Sequence, residues 1–210
     1  MKKTFVLVVL FILPLVAYLF FASGVNNFGK LPVLTEEVLN APENADNITF
    51  ENKITILGFL GYNVELKKGN AFNLNQKIYK PFYEFNDFQI VMIMPLGTEE
   101  KVEELKAELG NLVDIKNWNF IFTEDERIEA VFNSLKTNLS LDESLGTHYV
   151  FIIDKDKNLR GRTNDEEETT KYGFNATSVA ELNNKMEDDV KIILAEYRLA
   201  LKKNNADRTN

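Results

Sequence analysis

The segment at residues 146–162 constrains the fold of this chain more than any other stretch. The apolar run from Tyr149 to Ile153 predicts a buried strand, and the polar residues 154–158 that follow are typical of a turn. A second short strand comes next. Two strands joined by such a turn pair with each other, so the segment predicts a β-hairpin within a larger sheet.

Strands alternate with helices along most of the remaining chain. Three further apolar runs predict strands, at residues 54–60, 88–94 and 118–122. Apolar residues three or four positions apart predict four helices, which begin near Leu74, Thr98, Thr123 and Ser178. The resulting order, β-α-β-α-β-α-β-β-α, predicts an α/β fold with a partly parallel sheet that helices cover on both faces.

Several helix boundaries can be predicted from local sequence. Residues 61–73 are polar and contain glycine, so we expect a loop or the irregular start of a helix there. Thr123 with Glu126, and Ser178 with Glu181, match the capping box. In that motif two side chains bond to the backbone at the first turn of a helix.

The N-terminal residues predict a membrane anchor. Lys2 and Lys3 precede an apolar run at residues 5–22, which only Pro14 interrupts. At ~1.5 Å per residue this run is ~27 Å long, just enough to cross the hydrocarbon core of a bilayer. The two lysines are expected to stay in the cytoplasm, so the rest of the chain would lie outside a cytoplasmic membrane that it crosses once. A cleaved signal peptide is the alternative.

The sequence therefore divides into four expected segments. Residues 1–25 form the anchor or signal segment, and residues 26–47, with two prolines and many polar side chains, form a linker. Residues 48–203 form the folded domain. Residues 204–210 are polar and are expected to be a disordered tail.

Composition excludes several functions. The net charge is −8, whereas a nucleic-acid partner requires a basic surface, so we expect none. The chain has no cysteine, which excludes disulfides, thiol redox chemistry and zinc-thiolate sites. No glycine-flanked serine marks a hydrolase nucleophile. The chain is therefore expected not to be an enzyme, with no catalytic and no cofactor-binding residue predicted.

The chain resembles the Sco/SenC family, which consists of membrane-anchored thioredoxin-like proteins that handle copper during cytochrome oxidase assembly. The resemblance lies mainly in His148, the strand that follows it, the turn at Asp154 and the pair Arg160-Gly161. Weaker likeness lies at residues 88–95, where Met94 replaces the family's aspartate before proline, and at Trp118. The resemblance implies a thioredoxin-like mixed sheet, of the Sco and peroxiredoxin type, flanked by helices and preceded by one transmembrane helix.

The chain departs from that family at the metal site. The resemblance implies a Cys-x-x-x-Cys motif at residues 61–68, but the sequence there is Gly-Tyr-Asn-Val-Glu-Leu-Lys-Lys. Only His148 corresponds to a family ligand. The purely structural interpretation is that this histidine forms a hydrogen bond with a neighbouring loop. The alternative is a weak metal site in which Met92 and Met94, which share one strand face, add thioethers to the imidazole.

Other polar clusters also have purely structural interpretations. Glu65, Lys67 and Lys68 could form a salt-bridged surface turn or a patch that binds a partner. Asp154 and Asp156 match only the start of a calcium loop, so a hairpin turn explains them better.

The sequence as a whole predicts a membrane-tethered, extracytoplasmic thioredoxin-like domain without thiol chemistry. We expect it to be a non-catalytic interaction or assembly module of the cell envelope, with an envelope or membrane-complex protein as its partner. The alternative is a residual copper carrier or cytochrome oxidase assembly factor that uses His148. In the first case no cofactor is expected, and in the second the cofactor is copper.

Overall fold

The computed structural model describes the backbone of residues 2–22 and 29–207. Its strands are β1 (Val33–Thr35), β2 (Ile54–Phe59), β3 (Phe88–Pro95), β4 (Trp118–Thr123), β5 (Tyr149–Ile153), β6 (Leu159–Arg160) and β7 (Phe174–Asn175). Its α-helices are α1 (Lys2–Ala22), α2 (Val64–Leu74), α3 (Lys80–Phe82), α4 (Glu99–Gly110), α5 (Asp125–Ser134), α6 (Val179–Glu181) and α7 (Glu187–Asp207). Two π-helical segments, Asn75–Tyr79 and Leu182–Met186, connect α2 to α3 and α6 to α7.

The strands form one mixed sheet in the order β1-β6-β5-β2-β3-β4, with β7 paired to β5. Strands β2, β3 and β4 are parallel, whereas β5 is antiparallel to β2 and to β6. A parallel βαβ unit is thus joined to a β-hairpin and closed by a helix. This is the thioredoxin-like arrangement that the sequence predicts, and the hairpin occupies its expected place at β5 and β6.

Helices cover both faces of the sheet, as expected for strands that are buried throughout. On one face α2, α4 and α7 pack on a core that includes Ile56, Met92 and Ile152. On the other face α5 packs on a core that includes Leu57, Val91 and Phe151. Consecutive residues of each strand point to opposite faces, which explains why these strands are apolar without alternation.

The structure decides between two alternatives for one segment and changes the expectation for another. Helix α2 begins at Val64, so residues 64–73 are the start of a helix, the second of the two alternatives for this polar segment. Part of the expected linker at residues 26–47 belongs to the sheet, because β1 pairs with β6. Leu31 and Val38 from the same segment are buried in the two cores. Burial of these side chains fixes a segment whose sequence has no clear periodicity.

The two predicted capping boxes have different outcomes. Ser178 accepts a hydrogen bond from the backbone N–H of Glu181 at the start of α6, as expected. The Glu181 carboxylate turns to the backbone N–H of Asn175 instead of closing the box. The residue at the N-cap position of α5 is Glu124, one position after Thr123, and it makes no side-chain capping hydrogen bond, so the box predicted at Thr123 and Glu126 is wrong.

The expected anchor at residues 1–25 lies partly outside the described residues. Helix α1 covers Lys2–Ala22, while residues 1 and 23–25 are not described. Within the part of the chain that the structure describes, no helix has the length and apolar character needed to cross a bilayer. The predicted tail lies outside the described residues from 208 onward, and α7 extends to Asp207.

Candidate functional site

The site that the sequence indicates lies at the C-terminal end of β2, where α2 begins. Leu60, just after β2, forms an antiparallel bridge with Gly146. Gly61 follows with a φ of +68°, and a Cβ on it would lie 2.2 Å from the carbonyl oxygen of Ser144. Only glycine fits such a close approach in this conformation. The start of α2 is thereby held against residues 142–148.

Lys67 points inward from α2 and is almost fully buried. Its Nζ lies 2.6 Å from Oδ2 of Asp142, and the lysine side chain is only 4% exposed. Gly146 leaves the room for it, because a Cβ on Gly146 would lie 2.7 Å from Lys67 Nζ. The sequence does not identify Asp142 as the partner, because 75 residues separate it from Lys67 and only the fold brings the two together.

Asp142 organises the loop that carries it. Its Oδ1 accepts hydrogen bonds from the backbone N–H groups of Ser144 and Gly146 and from the Ser144 hydroxyl. Partial burial of Asp142 favours the protonated carboxyl, but the hydrogen bonds from Lys67, Ser144 and Gly146 outweigh it. Together they hold the pKa of Asp142 well below its usual range. The carboxylate is therefore a fixed structural anion and a poor general base.

The other polar side chains at the start of α2 also have partners within the fold. Lys68 forms a salt bridge with Glu108 of α4. The hydroxyl of Tyr62 donates to Oδ1 of Asp125 at 2.8 Å, and this bond raises the pKa of Tyr62. Glu65 lies 4.0 Å from Lys68. The predicted salt bridges are present, but these residues lie in helix α2 and Lys67 is buried, so the cluster is not a surface turn. The charges of the two lysines do not converge on a common pocket.

His148 is exposed, and it is held by α2. Its Nδ1 lies 3.0 Å from Nδ2 of Asn70, a residue that is itself only 5% exposed. With the amide donating, Nδ1 is the acceptor, so the neutral ring carries its proton on Nε2. The hydrogen bond to a neighbouring element is the one expected from the sequence, although the partner is a helix and not a loop.

Met92 and Met94 lie on one strand face, as predicted, and that face is the core. Both are fully buried among apolar side chains. The sulfur of Met92 lies over Gly58, where a Cβ would be 2.5 Å from it. Within the described residues, no three His, Asp or Glu side chains are placed to hold a metal ion together. His148 is the sole member of the predicted metal set at the surface.

Two apolar side chains remain exposed at this end of the sheet. Leu66, in the first turns of α2, is 78% exposed, and Tyr62 is 40% exposed. Leu66 and Asn70 are four residues apart and so lie on one face of α2, with His148 bonded to Asn70. We call Tyr62, Leu66 and His148, together with the buried Asn70 that holds the imidazole, the α2 surface. Its charged neighbours are paired, and its exposed groups are an aliphatic chain, a ring and an imidazole.

The opposite end of the sheet has a second polar cluster. The guanidinium of Arg160 is buried, with hydrogen bonds to Asp154, Glu196 and the carbonyl oxygen of Leu31. A cavity of about 480 Å³ lies beside this cluster, between the chain near Gly29 and residues 196–200 of α7. Asp154 therefore neutralises an arginine, which agrees with a hairpin turn in place of a calcium loop.

No family model matches the chain, and no curated protein matches it. Solved structures do. A protein from Aquifex aeolicus VF5, provisionally described as an electron transport protein, is 15% identical with a TM-score of 0.50, over 78% of this chain and 96% of that one. A thioredoxin-family thiol:disulfide interchange protein from Chlorobium tepidum TLS is 16% identical with a TM-score of 0.48, over 79% and 99%.

The soluble domain of Sco1 from Bacillus subtilis is 17% identical, with a TM-score of 0.46, over 77% of this chain and 94% of that one. The likeness to the Aquifex aeolicus VF5 protein, at 15% identity and a TM-score of 0.50, shows a shared fold alone.

Proposed function

We propose that the chain is a binding module that uses the thioredoxin-like fold without thiol chemistry and holds a partner protein on the α2 surface. The observation that carries this proposal is the contrast between Lys67 and Leu66. The charged side chain is buried against Asp142, whereas the apolar one is 78% exposed. A catalytic site would expose its reactive groups, whereas this site exposes an apolar side chain that can contact a partner.

The remaining groups of the site support binding over catalysis. A nucleophile or general base needs a free lone pair near a substrate position. Here the lysines and Asp142 are committed to ion pairs, and the Tyr62 hydroxyl is bonded to Asp125. Exposed aromatic and aliphatic side chains are typical of the anchors in protein interfaces. The partner that fits presents an apolar patch with a hydrogen-bond acceptor opposite His148 Nε2.

The partner is proposed to be an envelope or membrane-complex protein. The support is the apolar run at residues 5–22, which follows two lysines and which would keep the domain at the outer side of a cytoplasmic membrane. The described side chains of α1 that carry this argument are exposed, for example Leu10 at 65% and Leu13 at 63%.

The test replaces Leu66 in the full chain. Leu66→Glu places a charge in the centre of the proposed contact and is expected to weaken partner capture from detergent-solubilised membranes at least tenfold, because burying an unpaired carboxylate is costly. Leu39→Glu is the matched control, since Leu39 is 46% exposed but lies outside the α2 surface. Equal capture by both variants would contradict the assignment of the surface.

The copper carrier remains a second candidate, and exposed His148 is the observation that favours it. An imidazole binds metal through a deprotonated nitrogen, so copper would have to displace the proton from Nε2 or break the bond to Asn70. Titration of the full chain with Cu(I), beside His148→Ala, separates the two candidates. One-to-one binding that is lost in the variant would favour copper transfer, and the binding module predicts no binding by either protein.

A further inference from the structure

We propose that the edge strand β4 pairs antiparallel with β4 of a second copy of this chain, so that one sheet continues across a dimer. The β4 edge includes no residue of the α2 surface, although Glu124 at its end is next to Asp125, which bonds to Tyr62. Pairing along this edge does not depend on the proposed function.

The backbone of β4 has one free side. Among the strands of the described residues, β4 ends the sheet and pairs only with β3. Ile90 donates to the carbonyl oxygen of Asn117 at 2.9 Å, and Leu96 donates to that of Thr123 at 3.2 Å. Because backbone groups alternate in direction along a strand, the odd-numbered residues of β4 bond to β3 and the even-numbered ones point away.

The outward-pointing groups belong to Trp118, Phe120 and Phe122. The N–H of Trp118 donates to the carbonyl oxygen of Ile115 in the preceding turn. Among the residues that the structure describes, the N–H groups of Phe120 and Phe122 have no hydrogen-bond partner. Two donors and three carbonyl oxygens are thus available along the outer edge of β4.

The sequence of β4 lacks the usual protection of an edge. Its six residues, Trp-Asn-Phe-Ile-Phe-Thr, include no charge and no proline. Sheet edges normally avoid pairing through short strands, bulges, prolines or charged side chains. The opposite edge of this sheet follows that rule, because β1 has three residues and an irregular register. The two edges therefore differ, and β4 is the one suited to accept a strand.

A second copy is the occupant that matches this edge. A twofold axis at Phe120 places Trp118 of each chain opposite Phe122 of the other. The Phe120 N–H of each chain would then bond to the Phe120 carbonyl of the other, and each Phe122 N–H to the facing Trp118 carbonyl. The partly buried rings of Phe120 and Phe122 would gain contact across the axis.

The charges at the ends of β4 fit the same twofold pairing. Lys116 lies in the turn just before the strand and Glu124 lies just after it, and both are exposed. In the part of the chain that the structure describes, neither side chain has an ion-pair partner. Antiparallel pairing brings Lys116 of each copy to Glu124 of the other, so the complementary pair forms twice. A parallel arrangement would instead place like charges together.

The experiment is sedimentation equilibrium of the full chain in density-matched detergent over a range of concentrations. The expected species are a 24.1 kDa chain and its dimer. Lys116→Glu should raise the dimer dissociation constant about tenfold, because it opposes two pairs of carboxylates, and Glu124→Lys should do the same. The double variant, Lys116→Glu with Glu124→Lys, restores both pairs and should return to within about threefold of the original constant. Lys30→Glu, near the other edge of the sheet, is the control of equal charge change.

Hydrogen exchange provides a second measurement that does not depend on charge. The amides of Phe120 and Phe122 should exchange more slowly at concentrations where the dimer forms, and Lys116→Glu should abolish that slowing at the same concentration. A single 24.1 kDa species at every concentration overturns the proposal. So does a dimer whose constant responds to none of the β4 variants and leaves both amides unprotected, because it would use another surface.

Discussion

Gly61 has a φ of +68°, and a Cβ there would lie 2.2 Å from the backbone oxygen of Ser144. We expect Gly61→Ala to lower the free energy of unfolding by about 2–3 kcal/mol, because both the conformation and the close contact exclude a side chain. A Cβ built on Gly69, inside α2, would have no atom within 4 Å outside its own helix backbone and chain neighbours. Gly69→Ala should therefore stabilise the fold by about 0.5–1 kcal/mol. Urea unfolding measures both changes, and a tolerated Gly61→Ala would contradict the close approach at the start of α2.

Asp142 makes the free energy of unfolding depend on pH in the acidic range. Its pKa in the folded state is lowered, since the hydrogen bonds from Lys67 and Ser144 outweigh burial. A lowered folded pKa adds stability above the unfolded carboxyl pKa of ~4, and that stability is lost as the pH falls below it. The double variant Lys67→Met with Asp142→Asn removes the pair without leaving a buried charge. Its unfolding free energy should fall less between pH 7 and pH 3 than that of the unchanged chain, and an equal fall would contradict this role.

The segment between β6 and β7 is fastened to α7 by an ion pair. Arg162 binds both carboxylate oxygens of Asp189, at 2.8 and 2.9 Å, and the Asp189 side chain is only 2% exposed. Burial nevertheless raises the pKa of Asp189, although Arg162 opposes the shift. The ion pair thus holds the segment against α7, and the buried Asp189 carboxylate would be unstable there without Arg162.

We expect Arg162→Met to lower the free energy of unfolding at pH 7 by about 3 kcal/mol, because it leaves a buried carboxylate without a partner. A carboxyl group whose pKa is higher in the folded state than in the unfolded state lowers the stability of the fold at pH values above its unfolded pKa. The difference between variant and unchanged chain should therefore shrink as the pH falls from 7 towards 5. Lys191→Met, which removes exposed ion pairs from α7, should change stability by less than about 0.5 kcal/mol. Equal effects of the two variants would show that burial of Asp189 is unimportant.

For the whole molecule, the proposed tether predicts where the chain is found in a cell. The full chain should remain in the membrane fraction after carbonate extraction. Leu10→Lys combined with Leu13→Lys should move it to the supernatant, because each lysine costs about 3 kcal/mol at the centre of a membrane helix. The mass of the extracted chain distinguishes an intact tether from a cleaved signal peptide. Release of the unchanged chain by carbonate at its full mass would contradict the tether.

The sequence by itself determines the architecture of the sheet and its helices. Apolar runs placed β2, β3, β4 and β5 correctly, because strands buried on both faces need apolar residues at every position. The hairpin at β5 and β6 follows from the turn at Asp154, whose side chain bonds to the turn backbone. These are local signals, and each of them lies within a few residues of the structure that it specifies.

Only the tertiary structure decides which polar residues meet. Asp142 reaches Lys67 across 75 residues, and His148 reaches Asn70 across 78. The start of α2 at Val64 and the place of β1 in the sheet also escape local sequence, since both depend on burial against elements that are distant in the chain. The absence of cysteine can be read from the sequence, but the burial of Lys67 and the exposure of Leu66 cannot. Those depend on which face of α2 the sheet covers, and packing alone sets that face.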